Sequence, residues 1–530
     1  MIVNNRLDSY QKLIEKIADA IADLKIPEGK VKICNPRNGL IRTLLAAIGR
    51  TAALYWGIQM DTVLNNIENA LESKFDDQID ETWNSFSMRR AYCETRMVNK
   101  YVMPLSMDFI DPHIFTQSDS NICLCKLEEV TGFIREDLKE LKYFYYPYMV
   151  TPQELSFALT CLNLSNGEQI LDPINQRDEI ERIYLEWNYP NLIDKSKDSS
   201  DDHFALDQIK AKKLNLCDNG EQCFLISVGT ESRSKLKIAV GNARLYEKNF
   251  QFALTGKPNR SFARYQQLSK LLRSAIEEKV DLLVLPENYL PWEWVPDVAR
   301  LCANNQMALI TGIEHIVIEP KNKEKCVYNL TAVILPYLQD DYKYAYVVYH
   351  QKVHYSPEET RGIKGYRGIP QEGKYYQLFQ WRDVWFPVYC CFELASIKER
   401  SLFQSLADLV VAVEWNKDVV YFGSIIESMC RDLHCFCIQA NSSDYGDSRV
   451  MLPSNTEKRD LIKTKGGQNS AILVDDIDIQ ALREFQCKEY ELQRHSSMFK
   501  PTSPNFDPTV VEHKQNGTLW QYLKSKGKFL

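Results

Sequence analysis

Asp281-Leu282-Leu283-Val284-Leu285-Pro286-Glu287 is an apolar run that ends on an acid. Two further stretches share its grammar. Residues 344–349 lead into His350-Gln351-Lys352, and residues 384–389 lead into Cys390-Cys391-Phe392-Glu393. Short runs of this kind read as strands, and a strand end is where an α/β sheet collects its chemistry. One acid/base group, one cation and one thiol are thus each delivered from the end of an expected strand.

The flanking residues support an α/β sheet buried on both faces. Residues 237–240 and 307–311 read as strands. Residues 262–279, with Leu268, Leu271, Leu272, Ala275 and Ile276 at helical spacing, and 298–305 read as helices. Strands alternating with helices are the signature of this class. Further strands are expected at 327–335, 409–413, 435–440 and 470–474.

Residues 1–193 read differently, as a mostly α-helical N-terminal domain that carries no chemical motif. Residues 9–24 place Leu13, Ile14, Ile17, Ile21 and Leu24 on one stripe, and 43–56 and 62–71 continue the helical pattern, whereas 107–133 is ambiguous. Thr151-Pro152-Gln153-Glu154 has the form of a helix start, with a Thr cap, Pro in the first turn and Glu three residues on. Residues 194–234 are expected as linker and lead-in, with the polar run 194–203 as their most exposed part. The α/β domain then spans 235–485. Residues 486–530, with Pro501, Pro504 and Pro508, are expected as an extended C-terminal arm.

Composition bounds the function. The chain has 530 residues, 45% hydrophobic and 25% charged, which is ordinary for a globular protein of two or three domains. Its net charge of -7 argues against a protein whose main task is to grip a phosphate backbone. No signal-type start and no run of about 18 uncharged apolar residues is found, so no membrane span is expected. The 15 cysteines have no framework spacing and read as reduced thiols in a cytoplasmic protein. Cys123/Cys125 and Cys435/Cys437 do not match zinc spacings. Neither a metal nor a cofactor is expected.

From about residue 235 to 482 the chain resembles the carbon–nitrogen hydrolase superfamily, the nitrilases and amidases. The family pattern is a strand ending in Pro-Glu, then Lys often followed by His, then Cys-x-Glu or Cys-x-Asp. Here these are Pro286-Glu287, Lys352-Val353-His354 and Cys391-Phe392-Glu393, in that order. Arg431 followed by Ala440-Asn441, Gly446, and Gly467-Gln468-Asn469-Ser470 are secondary marks of the same likeness. The resemblance implies an αββα sandwich, a homo-oligomer, and expulsion of ammonia or an amine by thiol attack on a small amide or nitrile. It also implies a second glutamate after the lysine. The family spacing falls on Thr360, so the acid is Glu359, with Glu358 next, or Glu372 if the loop is longer.

The chemistry can be argued from the residue types. An amide or nitrile carbon is a poor electrophile, and a thiolate helps by forming a covalent intermediate. A thiol is mostly protonated near neutral pH and needs a base, for which Glu287 is the candidate. The negative oxygen of the intermediate needs a fixed cation, for which Lys352 is the candidate. Adjacent strand residues face opposite ways, so only one of Cys390 and Cys391 can face a pocket; Cys391 is chosen because it supplies the Cys-x-Glu spacing. His350 and His354 read as supporting groups without an acid partner in sequence. Asn288, Tyr289, Trp292 and Trp294, with Glu414, Trp415 and Asn416, are expected around a substrate because they follow strand ends. The alternative expectation is a nitrilase-like binding or regulatory module. Its motif-free N-terminal half would engage a protein or a nucleic acid.

Overall fold

The computed structural model describes residues 151–530 apart from 166–168, 189–205, 217–221, 256–258, 260–261, 319–323 and 340–341. The helical patterns expected before residue 151, the ambiguous 107–133, Cys123/Cys125 and the polar run 194–203 lie outside the described residues. The chain divides into two compact units, residues 1–162 with 179–202, and residues 163–178 with 203–530. The helix Pro152–Ser165 starts where the capping residues place it: the Glu154 carboxylate accepts from Thr151 N at 3.0 Å and from Thr151 Oγ1 at 2.9 Å.

The second unit is α/β with two mixed sheets. Numbered along the chain, one has β3 (Lys235–Asn242), β4 (Leu282–Leu290), β5 (Ala308–Ile313), β8 (Leu330–Gln339), β9 (Tyr342–Gln351) and β17 (Ala471–Asp478), in the order β17-β3-β4-β5-β8-β9. The other has β1 (Ile209–Leu214), β2 (Gln222–Val228), β11 (Tyr375–Trp381), β12 (Val384–Cys390), β13 (Leu409–Val413), β14 (Phe436–Ala440), β15 (Arg449–Met451) and β16 (Asp460–Lys463). Its order is β1-β2-β11-β12-β13-β14-β15-β16. A small third sheet joins β10 (Gly368–Pro370), β7 (Lys325–Tyr328) and β6 (Ile316–Ile318).

The central strands β3-β4-β5 in one sheet and β12-β13-β14 in the other run parallel, while β9, which leads to Lys352, is antiparallel to β8, and β12 is antiparallel to β11. Every residue of β4, β5, β12, β13 and β14 is buried, which is why these runs are continuously apolar rather than alternating. The two large sheets are bonded to each other across their facing sides. Trp381 Nε1 donates to Pro336 O at 2.7 Å, and Gln377 Nε2 donates to Tyr349 O at 3.2 Å. The helix Val419–Asp432 lays Phe422, Ile425, Ile426 and Met429, one helical stripe, against Val410, Ala412 and Cys437 of the larger sheet. The helix Val295–Asn305 buries Val295, Val298, Ala299 and Cys302 at the same spacing. Among the described residues no helix is long and apolar enough to cross a membrane.

Three expectations change. Residues 194–234 include β1 and β2, which pair with each other and, through β2, with β11, so the lead-in belongs to the sheet. Residues 486–530 are not an extended arm: they carry the helices Tyr490–Arg494, Pro508–Gln515 and Leu519–Ser525. Pro508 opens a helix instead of breaking one, because a first-turn proline loses no hydrogen bond and Asp507 caps Thr509 N at 3.0 Å. The strand expected over 327–335 is interrupted at Asn329, between β7 and β8.

One buried charge ties the last helices to the sheet. Asp408 is fully buried and accepts from Arg483 Nη2 at 2.7 Å, Lys514 Nζ at 2.7 Å and Trp385 N at 3.0 Å. Burial alone would raise its pKa, but Arg483 and Lys514 outweigh burial and hold it at about 2. Asp408→Ala leaves Lys514 in the core without a counter-charge and Arg483 with Asp383 alone, and is expected to cost about 3–5 kcal/mol in chemical denaturation. Because the folded pKa is depressed, the contribution is present above the ordinary value of 3.8 and is lost as pH falls through about 2. An acid titration should show this loss in wild type and not in the variant.

Candidate active site

Glu287 owes its position to a break in β4. Leu285 pairs with Thr311 and Leu290 with Ile313, so five steps on β4 (290−285) oppose two on β5 (313−311). Three extra residues are therefore pushed out of the ladder, as in a large bulge, just after Pro286, which has no N–H to offer a neighbour. Asn288 takes φ +57° in this bend. Gly312 makes room for it: a Cβ there would stand 2.3 Å from Glu287 Cα.

The Glu287 carboxylate is 2% exposed and saturated with donors. Oε1 accepts from Lys352 Nζ at 2.8 Å and Asn329 Nδ2 at 2.8 Å, and Oε2 accepts from Trp415 N at 3.1 Å. Lys352 follows the last residue of β9, and Lys352 N donates to Asn329 O at 3.0 Å, which prolongs the β8–β9 ladder by one rung. Its ammonium is 1% exposed. A second carboxylate, Glu359, accepts from Nζ at 2.6 Å. Burial lowers the Lys352 pKa, yet Glu287 and Glu359 outweigh it and hold the lysine well above its ordinary range. Glu359 lies in the first turn of the helix Pro357–Gly365, whose Ser356 cap accepts from Glu359 N at 3.1 Å. Burial raises the Glu359 pKa, but Lys352 and His315 bring it down to about 2. Of the three glutamates weighed in sequence, Glu359 is joined to Lys352, while Glu358 meets Lys417 on the surface at 3.4 Å.

Two thiols close the group from the other sheet. Cys390 ends β12, and its Sγ donates to Glu287 Oε1 at 3.3 Å. Cys391 opens the short turn Cys391–Ala395 with φ +48°, a conformation that costs a non-glycine residue of order 1–3 kcal/mol and is characteristic of functional turns. Cys390 is 1% exposed and Cys391 8%. Burial pushes both thiols well above their ordinary value, the Glu287 charge adds to this, and Lys352 opposes it. A carboxylate, an ammonium and two thiols thus share one buried group, the components that general-base activation beside a fixed cation requires.

Glu393 holds the two sheets in this relation. Its carboxylate accepts from Cys390 N at 2.7 Å, from Val353 N at 2.6 Å, and from His350 Nε2 at 2.9 Å. The neighbours of Cys391 and of Lys352 are thus bonded to one side chain. His350 therefore does have an acid partner, supplied from a strand that sequence proximity cannot show. Gln377 Nε2 donates to Tyr349 O, which turns Gln377 Oε1 toward His350 Nδ1 at 2.9 Å. Both ring nitrogens then face acceptors, an arrangement that favours the imidazolium. Burial lowers its pKa, and Glu393 more than reverses this, leaving it raised.

The expected substrate-contacting residues divide. Trp415 binds Glu287 through its N–H, and its ring meets Phe250 edge-on at 5.7 Å, while Phe250 meets His315 at 4.9 Å. Glu414 is fully buried beside Glu287, accepting from Gln439 Nε2 at 2.9 Å, and its backbone oxygen accepts from Glu287 N at 3.4 Å. Burial pushes its pKa up to about 8. Asn416 serves its own turn: its Oδ1 accepts from Asp418 N, and its backbone N and O bond Asn441. Tyr289 is buried with no partner for its hydroxyl, and its carbonyl accepts from Arg264 at 3.1 Å. Trp292 is 7% exposed, and Trp294 is core, edge-on to Tyr265. His354 is half-exposed and bonds Glu399 at 3.2 Å. Asn329, His315 and Phe250 were missed. Only Asn329 left a signal, a lone polar residue between two apolar runs.

No family model matches the chain, and no curated protein does. Solved structures do. Saccharomyces cerevisiae Nit3, a member of branch 10 of the nitrilase superfamily, is 16% identical with a TM-score of 0.35, covering 48% of this chain and 96% of that one. An amidase from Nesterenkonia is 16% identical with a TM-score of 0.34, covering 50% and 99%. A CN-hydrolase protein from Xanthomonas campestris with an arsenic adduct in its active site is 14% identical with a TM-score of 0.34, covering 48% and 94%. All three are nitrilase-superfamily structures.

Glu393→Gln leaves the His350 imidazolium buried without a counter-charge, and unfolding should become easier by about 3–5 kcal/mol. The raised histidine pKa makes the pair's contribution complete below the ordinary value of 6.5 and lost as pH rises through the folded value. Denaturation midpoints of wild type should therefore fall as pH rises above 6.5, with a smaller fall in His350→Asn.

Proposed function

We propose that the second unit is a thiol-dependent carbon–nitrogen hydrolase acting on a small amide or carbamoyl compound, or a nitrile. The observation that carries this reading is that one oxygen, Glu287 Oε1, is shared by a buried ammonium and a thiol at a strand end. Cys391 is the nucleophile in this reading, because it stands in the strained turn and is the more exposed of the pair. Its sulfur bonds to the substrate carbon while its proton passes to Glu287. With an amide or carbamoyl substrate the C–N bond then breaks and the departing nitrogen takes that proton; a nitrile keeps the proton on its nitrogen as a thioimidate and adds one water before ammonia leaves. Water adds to the thioester with Glu287 again as base, the C–S bond breaks, and the thiol is restored. Lys352 stabilises the negative oxygen of each tetrahedral state, and Glu359 with Asn329 keeps Lys352 and Glu287 in register.

Two observations favour other readings. Cys390, not Cys391, makes the hydrogen bond to Glu287, which would make Cys390 the nucleophile. Both thiols are also deeply buried and pushed up, which suits a silent module whose partner is bound elsewhere.

Ammonia release from a panel of small amides and nitriles decides among them. Cys391→Ser should lower kcat by about a thousandfold or more, and Lys352→Met by about a hundredfold or more. An inactive Cys390→Ser beside an active Cys391→Ser would move the nucleophile by one residue. Full activity in both would end the hydrolase reading.

A further inference from the structure

A second concave site lies away from the glutamates and thiols. It is a cavity of about 440 Å³ between the helix Val419–Asp432 and the strands β15 and β16. None of Glu287, Lys352, Glu359, Cys390 or Cys391 lines it. Its charged lining is Arg449, Arg459, Lys463 and Lys465 against Glu427 and Asp447, an excess of two positive charges (4−2) in a chain of net charge -7.

The carboxylates engage only part of this set. Arg449 pairs with Asp447, and Arg459 with Glu427, while Lys463 stands 3.8 Å from Asp447. Arg449 is 4% exposed, yet its Nε has no partner and its Nη1 reaches only Met451 sulfur at 3.9 Å. A buried guanidinium has five donors, and leaving donors unmade is costly unless something completes them. Gly423 permits the arrangement, since a Cβ there would stand 2.8 Å from Arg449 Nη2. The volume suits a small metabolite.

We propose that this cavity is a binding site for an oxyanion-bearing small metabolite, whose phosphate or carboxylate group completes Arg449 with help from Lys463 and Lys465. The site also touches the loop that supports the first one. Asn441 Nδ2 donates to Gly446 O at 3.0 Å on this side and to Asn416 O at 2.9 Å beside Trp415.

Calorimetric titration of the full chain with inorganic phosphate and, separately, citrate tests this without reference to hydrolysis. Saturable binding of at least one is expected, and the stronger of the two assigns the group as phosphate or carboxylate. Lys463 and Lys465 are exposed, so the double variant Lys463→Ala/Lys465→Ala keeps the fold. It should bind about tenfold more weakly for each charge-assisted contact removed. Arg449→Gln should weaken binding further. Absence of saturable binding for both anions, or equal affinity in the double variant, overturns the proposal.

Discussion

Burial of the Lys352 ammonium is the constraint around which this site is organised. A cation 1% exposed to solvent is tolerable only when opposite charge and hydrogen-bond acceptors stand within contact distance. Glu287 and Glu359 supply both, and they come from a bulged strand and a helix start, two elements with no local connection. Asn329 then binds both carboxylates with one amide nitrogen, at 2.8 Å to Glu287 and 2.7 Å to Glu359. Two carboxylates around one ammonium leave an excess of negative charge. Burial, with the Glu287 charge adding to it, keeps the thiols protonated at rest.

The second constraint is the junction of the two sheets. Glu287 and Lys352 belong to one, and Cys390 and Cys391 to the other, so a slip between them would separate the carboxylate from the thiols. Glu393 resists that slip by binding Cys390 N on one side and Val353 N on the other, and the His350 imidazolium neutralises it where water cannot. The pair is therefore read as a positioning device rather than a participant in bond making. Trp415 N adds a third tie, from the end of β13 to Glu287 Oε2.

The sequence was informative where the physics is local. Continuous apolar runs marked the central parallel strands, Pro286 marked the break in β4, and Lys352 and Cys391 stand just past the ends of β9 and β12. Glu359 could be named only within a set of three: Ser356-Pro357-Glu358-Glu359 has the form of a helix start, but its approach to Lys352 is a tertiary contact that spacing does not show. Long-range pairings stayed hidden. His350 is 43 residues from Glu393, and Asp408 is 106 from Lys514, so neither partner could be read from spacing. The same reason explains the helices after residue 486: their apolar residues Val510, Leu519 and Leu523 are few and scattered, and only the distant core they meet makes them ordered parts of the fold. The choice between adjacent cysteines is likewise tertiary, since alternation states that they differ but not which one faces Glu287.

The most direct measurement is the rate at which individual cysteines react with iodoacetamide, followed by peptide mass mapping of the intact chain. If Glu287 activates a thiol beside Lys352, Cys391 is modified well ahead of the other fourteen cysteines, and Glu287→Gln slows that reaction selectively. Uniform labelling, or a Cys391 rate that ignores the Glu287 substitution, would contradict it.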